Sequence, residues 1–169
     1  FVTGLHLSQY RHATRDPEPY WEEAVRRDPG DSRCHNALGL ACYKRGQFEQ
    51  AAKHFRTAIA RLIKRNANPA DGEPLYHLGL TLRWLGDLAQ AYSALYKSTW
   101  NAAWRAPAFK ALAEIDASRS HWEQAEQHLR MSLKHATDDL QVRALLVIVL
   151  RKLGRTQEAS ELQIGRAHV

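Results

Sequence analysis

Cysteine is almost missing from this sequence: Cys34 and Cys42 are the only two among 169 residues. On one helix they would stand about 12 Å apart along the axis, beyond the reach of a disulfide. They read as small core residues or surface thiols. Long apolar runs are missing too. The longest, Ala144 to Leu150, falls far short of the roughly 20 residues that a bilayer-spanning helix needs. No secretory signal opens the sequence, so the expectation is a cytoplasmic chain that avoids the membrane. Blocks of like charge are absent as well. Lys and Arg number 24 against 18 Asp and Glu, a net +6 at a pI of about 9.5, but the basic residues are dispersed. Arg61, Lys64 and Arg65 fall where a helix would end, and cations there complement the helix dipole. The charge balance permits acidic partners, nucleic acid included, without requiring them.

Catalytic and metal-binding patterns are also lacking. There is no Cys pair at zinc spacing, no His-Glu-x-x-His, no phosphate-cradling glycine loop and no nucleophile elbow. His121, His128 and His135 recur every seven residues, but two helical turns separate neighbours by about 10 Å, too far to share one metal ion. They read as a polar stripe. Glu22, Glu23, Glu123 and Glu126 read as solvated helix faces. The expectation is a non-catalytic chain without cofactor or metal.

What is present is a globular composition, 44% hydrophobic and 25% charged, sufficient for a substantial core, and a period. Ala91, Ala125 and Ala159 are spaced by 34, as are Leu88, Trp122 and Thr156, and Gly86, Ser120 and Gly154. Ala51, Phe48 and Gly46 precede the first members by 40, the same period with six extra residues. The insertion belongs in KRNANPADGEP, where Asn, Pro and Gly cluster as a loop should. A step of 34 back from Ala51, Phe55 and Ala58 reaches Pro17, Trp21 and Ala24, so a degenerate first unit precedes the clear ones. Within ALGLACYKRGQFEQAAKHFRTAIARL two helical patterns flank Arg45 and Gly46, which predicts helix, tight turn, helix. Gly39, Ala51 and Ala58 allow the two backbones to approach closely.

These residues resemble the tetratricopeptide repeat family. Its pattern is met at His35, Leu38, Gly39, Cys42, Gly46, Ala51, Phe55 and Ala58, and again at Leu75, Leu78, Gly79, Leu82, Gly86, Ala91, Leu95 and Ser98. The third occurrence runs through Phe109, Leu112, Ala113, Asp116, Ser120, Ala125, Leu129 and Ser132. It departs from the family where Ala113 replaces Gly, Asp116 replaces an apolar residue and Ser120 replaces the turn Gly. The fourth keeps Leu146, Leu150, Gly154 and Ala159. The resemblance implies an all-α, right-handed superhelical solenoid of antiparallel helix pairs, one domain over 1–169. Its units would cover about 5–31 (degenerate), 32–71, 72–105, 106–139 and 140–169 (incomplete). LHLSQYRHATRDPEPYWEEAVRRDPGD also resembles a junction in certain bacterial proteins, where a large β-rich domain of unassigned function precedes such repeats. Together with the opening FVTG and the closing GRAHV, this suggests a piece of a longer protein, with added residues at its end.

Stacked units expose their ends. LQVRALLVIVLRKLG is apolar almost all round from Ala144 to Leu150, the mark of a helix covered on both sides. Further repeats, a second copy of the chain or a partner would supply the cover. Tyr92, Tyr96, Trp100 and Trp104 recur every four residues and, if the helix continues, form an aromatic stripe. We read the stripe as packing against the weak third unit, with at least one indole partly exposed.

In the family, the first helix of each unit lines the concave face. Carried over position by position, the resemblance assigns to it Arg33, Asn36, Leu40, Tyr43 and Lys44, then Glu73, Tyr76, Leu80, Arg83 and Trp84. Pro107, Lys110, Glu114, Ala117 and Ser118 follow, then Gln141, Ala144, Ile148, Arg151 and Lys152. The expected binding groove consists of Arg33, Asn36, Leu40, Tyr43, Lys44, Tyr76, Leu80, Arg83, Trp84, Lys110 and Arg151. Aromatics beside cations suit a protein or peptide with acidic and apolar side chains. That partner would bind in trans or be the chain's own upstream domain. Asn36 stands where chaperone-tail binders need a Lys, so that ligand is not expected. Helical-repeat nucleic-acid binding is the alternative, but one-base-per-repeat recognition needs regular polar readers, and the equivalent positions read Asn36, Tyr76, Lys110 and Ala144. An accessory role in a carbohydrate-metabolism protein rests on the junction resemblance alone.

Overall fold

The computed structural model describes residues 1–10, 14–64 and 66–164, with side chains through Gln163. Arg65 and the closing GRAHV lie outside the described residues. Among those described there are ten helices and no strand: α1 (Val2–Gln9), α2 (Glu18–Arg27), α3 (Ser32–Lys44), α4 (Phe48–Leu62), α5 (Glu73–Trp84), α6 (Leu88–Ser98), α7 (Ala102–Ser118), α8 (Trp122–His135), α9 (Leu140–Lys152) and α10 (Thr156–Ile164). They form two compact units, 1–94 and 95–169. In the first, α2 packs on α1 and α3, and α4 on α3 and α5; in the second, α8 packs on α7 and α9, and α9 on α10.

One turn is used four times. Helices α3, α5, α7 and α9 end in a left-handed residue, Gly46 (φ 74°), Gly86 (79°), Ser120 (61°) and Gly154 (76°). After each, the next amide reaches back five residues: Gln47 to Cys42, Asp87 to Leu82, His121 to Asp116 and Arg155 to Leu150, at 2.9–3.0 Å. This Schellman closure satisfies carbonyls that the helix end would otherwise orphan. Three glycines accept the positive φ freely, whereas Ser120 adopts it against its own Cβ, at roughly 1–2 kcal/mol. Ser120→Gly should therefore raise stability by about 1 kcal/mol in urea denaturation, while Gly46→Ser should lower it.

Helix starts are capped by side chains. Asp31 accepts from the amides of Arg33 and Cys34, Asn101 from that of Ala103, and Asp139 from those of Gln141 and Val142. The long link between α4 and α5, 63–72, is the Asn-, Pro- and Gly-bearing insertion.

Close approach fixes the hairpins. Helix α3 packs on α4, with Cys34, Leu38, Gly39 and Cys42 of α3 and Ala51, Ala52, Phe55 and Ala58 of α4 all buried; Cys34 and Leu38 cluster with Trp21 of α2. A Cβ on Gly39 would lie 2.7 Å from Phe55 Cε1. The first hairpin repeats the device: a Cβ on Gly4 would lie 2.5 Å from Trp21 Nε1, and that indole donates to the Phe1 carbonyl at 3.3 Å. Both cysteines are buried and unbridged.

Two histidines join α3 to α4. His35 Nε2 donates to the Pro29 carbonyl at 2.9 Å. A carbonyl can only accept, so a neutral His35 offers its Nδ1 lone pair to His54 Nδ1–H across 3.0 Å. Burial, and secondarily the neighbouring His35, pulls His54 below the ordinary 6.5, against the raising influence of Glu22 on α2. The unfolded chain then binds more protons than the folded one as the pH drops below 6.5, so stability is lost on acidification. The melting temperature should fall between pH 7.5 and 5.5, and His54→Gln should remove part of that slope.

Three sequence readings need correction. His121, His128 and His135 are not an equivalent stripe: His121 and His135 are exposed, whereas His128 is half-buried with Nδ1 2.7 Å from Oδ2 of the buried Asp116. The aromatic stripe is also broken. Helix α6 ends at Ser98, Trp100 lies in the turn with 57% of its surface exposed, and Trp104 sits half-buried in the first turn of α7. Finally, α9 is covered on two sides and open on a third. Val142, Leu146, Val147, Val149 and Leu150 are buried, while Ala144 and Ile148 are exposed.

Candidate partner-binding face

Within the first unit, α3 brings Asn36, Leu40 and Lys44 to one wall of a cleft of about 400 Å³. The period of 3.6 residues puts these three on one helix face. Leu5 and Ser8 of α1 line it too, as do Asp16, Trp21, Ala37, Ala41 and, from the start of α5, Glu73. At the rim, Arg45 Nη1 meets Glu18 Oε1 at 2.8 Å.

Asn36 and Glu73 belong together. Asn36 is buried, lines the cleft together with Glu73, and keeps its Oδ1 without a partner. Glu73 is held below the usual carboxylate range chiefly by the neighbouring His77, whose Nε2 lies 3.6 Å from Oε1, with Asn36 adding to the effect against burial. The two residues add to a lining that mixes the apolar Leu5, Trp21, Ala37, Leu40 and Ala41 with the charged Asp16, Glu18, Lys44 and Arg45.

Where α3 and α5 end, three aromatic rings meet. Trp84 stacks on Phe48 with centroids 5.5 Å apart and planes 3° from parallel. Its Nε1 donates to Tyr43 Oη at 3.1 Å, and Tyr43 packs edge-on against Phe48 at 5.6 Å. Trp84 nevertheless keeps 67% of its surface exposed. Lys44 is exposed and Arg83 half-buried on the same terminal turns.

The expected groove residues therefore divide. Asn36, Leu40 and Lys44 share the cleft, and Tyr43 and Trp84 are bonded to each other. Tyr76 and Leu80 are half-buried along α5. Arg33 is held by Asp31, Nη2 to Oδ2 at 3.1 Å, with its guanidinium 5.2 Å from the Phe1 ring centroid. Lys110 and Arg151 lie in the second unit, where they bond Gln141 and Gln163. Phe48 was missed as a site residue, although it stands in the repeat register beside the turn glycine and could have been paired with Tyr43. Leu5 and Trp21 were missed because the groove positions were carried over only from the clear units, although the 34-residue step already reached Trp21.

Among the described residues no group of three or more His, Cys, Asp or Glu could hold a metal ion, and no helix is long and apolar enough to cross a membrane.

Residues 32–62, covering α3 and α4, match the tetratricopeptide repeat model. Solved structures resemble the whole array. MamA from Desulfovibrio magneticus RS-1, residues 41 to the end, is 14% identical, with 99% of this chain and 93% of that one aligned at a TM-score of 0.76. PilF of Pseudomonas aeruginosa is 19% identical over 95% of this chain and 72% of its own, at 0.77. The Cut9–Hcn1 hetero-tetramer of the APC/C matches at 21% identity and 0.77, over 88% of this chain and 29% of that one. At these identities the likeness concerns the fold. Residues 32–62 are thus a tetratricopeptide repeat by sequence, and the chain that carries them has the all-α fold of a tetratricopeptide repeat solenoid.

Proposed function

We propose that this chain is a non-catalytic protein-interaction scaffold whose first unit binds a peptide or domain surface along the inner faces of α1, α3 and α5. One observation carries the reading: Trp84 is 67% exposed, yet stacking on Phe48 and its bond to Tyr43 hold it in one orientation. An exposed ring that merely solvates a helix has no need of such support. A pre-ordered indole loses little entropy on binding and supplies a large contact area, the usual makings of an interface hot spot. The adjacent cleft accepts an aliphatic side chain over Leu40, Ala37 and Trp21. Arg45 neutralises Glu18 there, and His77 Nε2 lies 3.6 Å from Glu73. Lys44 then favours a carboxylate at the Trp84 end. The occupant is an acidic segment with apolar anchors, supplied in trans or by the chain's own upstream domain. Peptide selection on the purified chain should recover sequences pairing aliphatic or aromatic residues with Asp or Glu. Their affinity should fall at least about tenfold with Trp84→Ala, a hot-spot-sized loss, at unchanged helicity. Peptides that bind Trp84→Ala and Lys44→Glu as well as wild type would place recognition elsewhere.

A further inference from the structure

The second unit carries a different surface, independent of the first unit's cleft. Helix α9 buries Val142, Leu146, Val147, Val149 and Leu150. Its open face presents Leu140, Ala144 and Ile148, each one helical turn from the next, with Leu140 58% and Ile148 52% exposed. Arg151 continues the same line and Lys152 flanks it; both are exposed. At the other end Asp138 is exposed beside the N-cap Asp139. Read along the face, the order is acid, Leu, Ala, Ile, base. Reversal about Ala144 exchanges Leu140 with Ile148 and sets Arg151 opposite Thr137, one residue from Asp138 and within reach of its carboxylate for a long guanidinium side chain. A surface that becomes its own complement on two-fold rotation meets the requirement of an isologous interface.

We propose that α9 pairs antiparallel with α9 of a second copy of this chain, with Ala144 at the two-fold axis. The small side chain at the crossing lets the helices approach closely. Leu140 of each copy packs on Ile148 of the other, and Arg151 of each reaches Asp138 of the other. Opposed helix dipoles add to the attraction. Parallel pairing would instead set Arg151 and Lys152 against their own images, so the charges select the antiparallel arrangement. The cations are not committed to carboxylates in their described contacts: Arg151 bonds the Gln163 side chain, and Lys152 lies over the Trp122 ring. One helix pair buries less than the roughly 1,200–2,000 Å² of a stable interface, so the association is weak and grows with concentration.

Sedimentation equilibrium over a wide concentration range should show a monomer–dimer exchange in the wild type. Ile148→Glu, at an exposed position, should abolish it without altering helicity. Arg151→Asp and Asp138→Arg should each weaken dimerisation, and the two combined should restore it, since the swap rebuilds the pair between copies. Ala144→Cys should form a disulfide-linked dimer under mild oxidation, whereas wild type, with Cys34 and Cys42 at 0% and 6% exposure, should not. Leu140→Cys and Ile148→Cys should cross-link when mixed but not separately. A wild type that stays monomeric at every concentration, a charge swap that fails to restore pairing, or equal cross-linking at all three positions would overturn the proposal.

Discussion

Phe55→Ala should lower the unfolding free energy by about 3–5 kcal/mol, and Gly39→Ala, which adds a methyl group instead of removing atoms, should lower it by about 1–3 kcal/mol. In an exposed helix interior, Gly to Ala ordinarily gains about 1 kcal/mol. Here the sign inverts. The new Cβ would stand 2.7, 2.9 and 3.0 Å from three atoms of the Phe55 ring, and that ring is 0% exposed, with the His77 ring stacked 5.8 Å away. It has nowhere to move, and the strain passes into the α3–α4 hairpin. Phe55→Leu trims the ring, so the double variant Gly39→Ala/Phe55→Leu should be less destabilised than the sum of the single changes. Urea denaturation of the four proteins measures the coupling; a neutral or stabilising Gly39→Ala would refute the close approach.

Asp116→Ala should lower stability by about 2–3 kcal/mol, the range for a hydrogen bond to a charged group. The carboxylate is 3% exposed, its Oδ2 lies 2.7 Å from His128 Nδ1, and the His128 ring lies 5.7 Å from that of Phe109. Removing Asp116 deprives His128 of this partner inside the α7–α8 hairpin, while the backbone closure from His121 to the residue-116 carbonyl survives. Replacing both side chains, Asp116→Leu with His128→Leu, should recover most of the loss, because a buried polar pair can often be exchanged for apolar residues of similar volume. Thermal melts of the single and double variants test this. A double variant as damaged as Asp116→Ala would assign the cost to packing and not to the pair.

That pair also marks the limit of what the sequence displays. The hairpin turns were legible because one physical need recurs: a residue at positive φ closes each first helix, and Gly46, Gly86 and Gly154 answer it. The small residues Gly39, Ala51 and Ala58 likewise reveal a close approach whose chemistry is local. Asp116 reads as a defect when each position is weighed alone. Only the fold shows that His128, twelve residues later, compensates it. The aromatic period from Tyr92 to Trp104 makes one stripe only if the helix continues, and the spacing of the rings does not say where the chain turns. Asn101, capping α7 through its bond to the Ala103 amide, was the available signal. On the candidate face, the repeat resemblance assigned Asn36, Leu40 and Lys44 to one groove. The bond from Trp84 to Tyr43 crosses two hairpins and depends on side-chain geometry that no spacing conveys.

The most direct test of the binding reading is an amide and indole NMR titration of the chain with a selected acidic-apolar peptide. The account predicts that the Trp84 Nε1–H signal and the amides of Asn36, Leu40 and Lys44 shift together along one binding isotherm. Saturable binding that leaves these signals in place and moves others would contradict it.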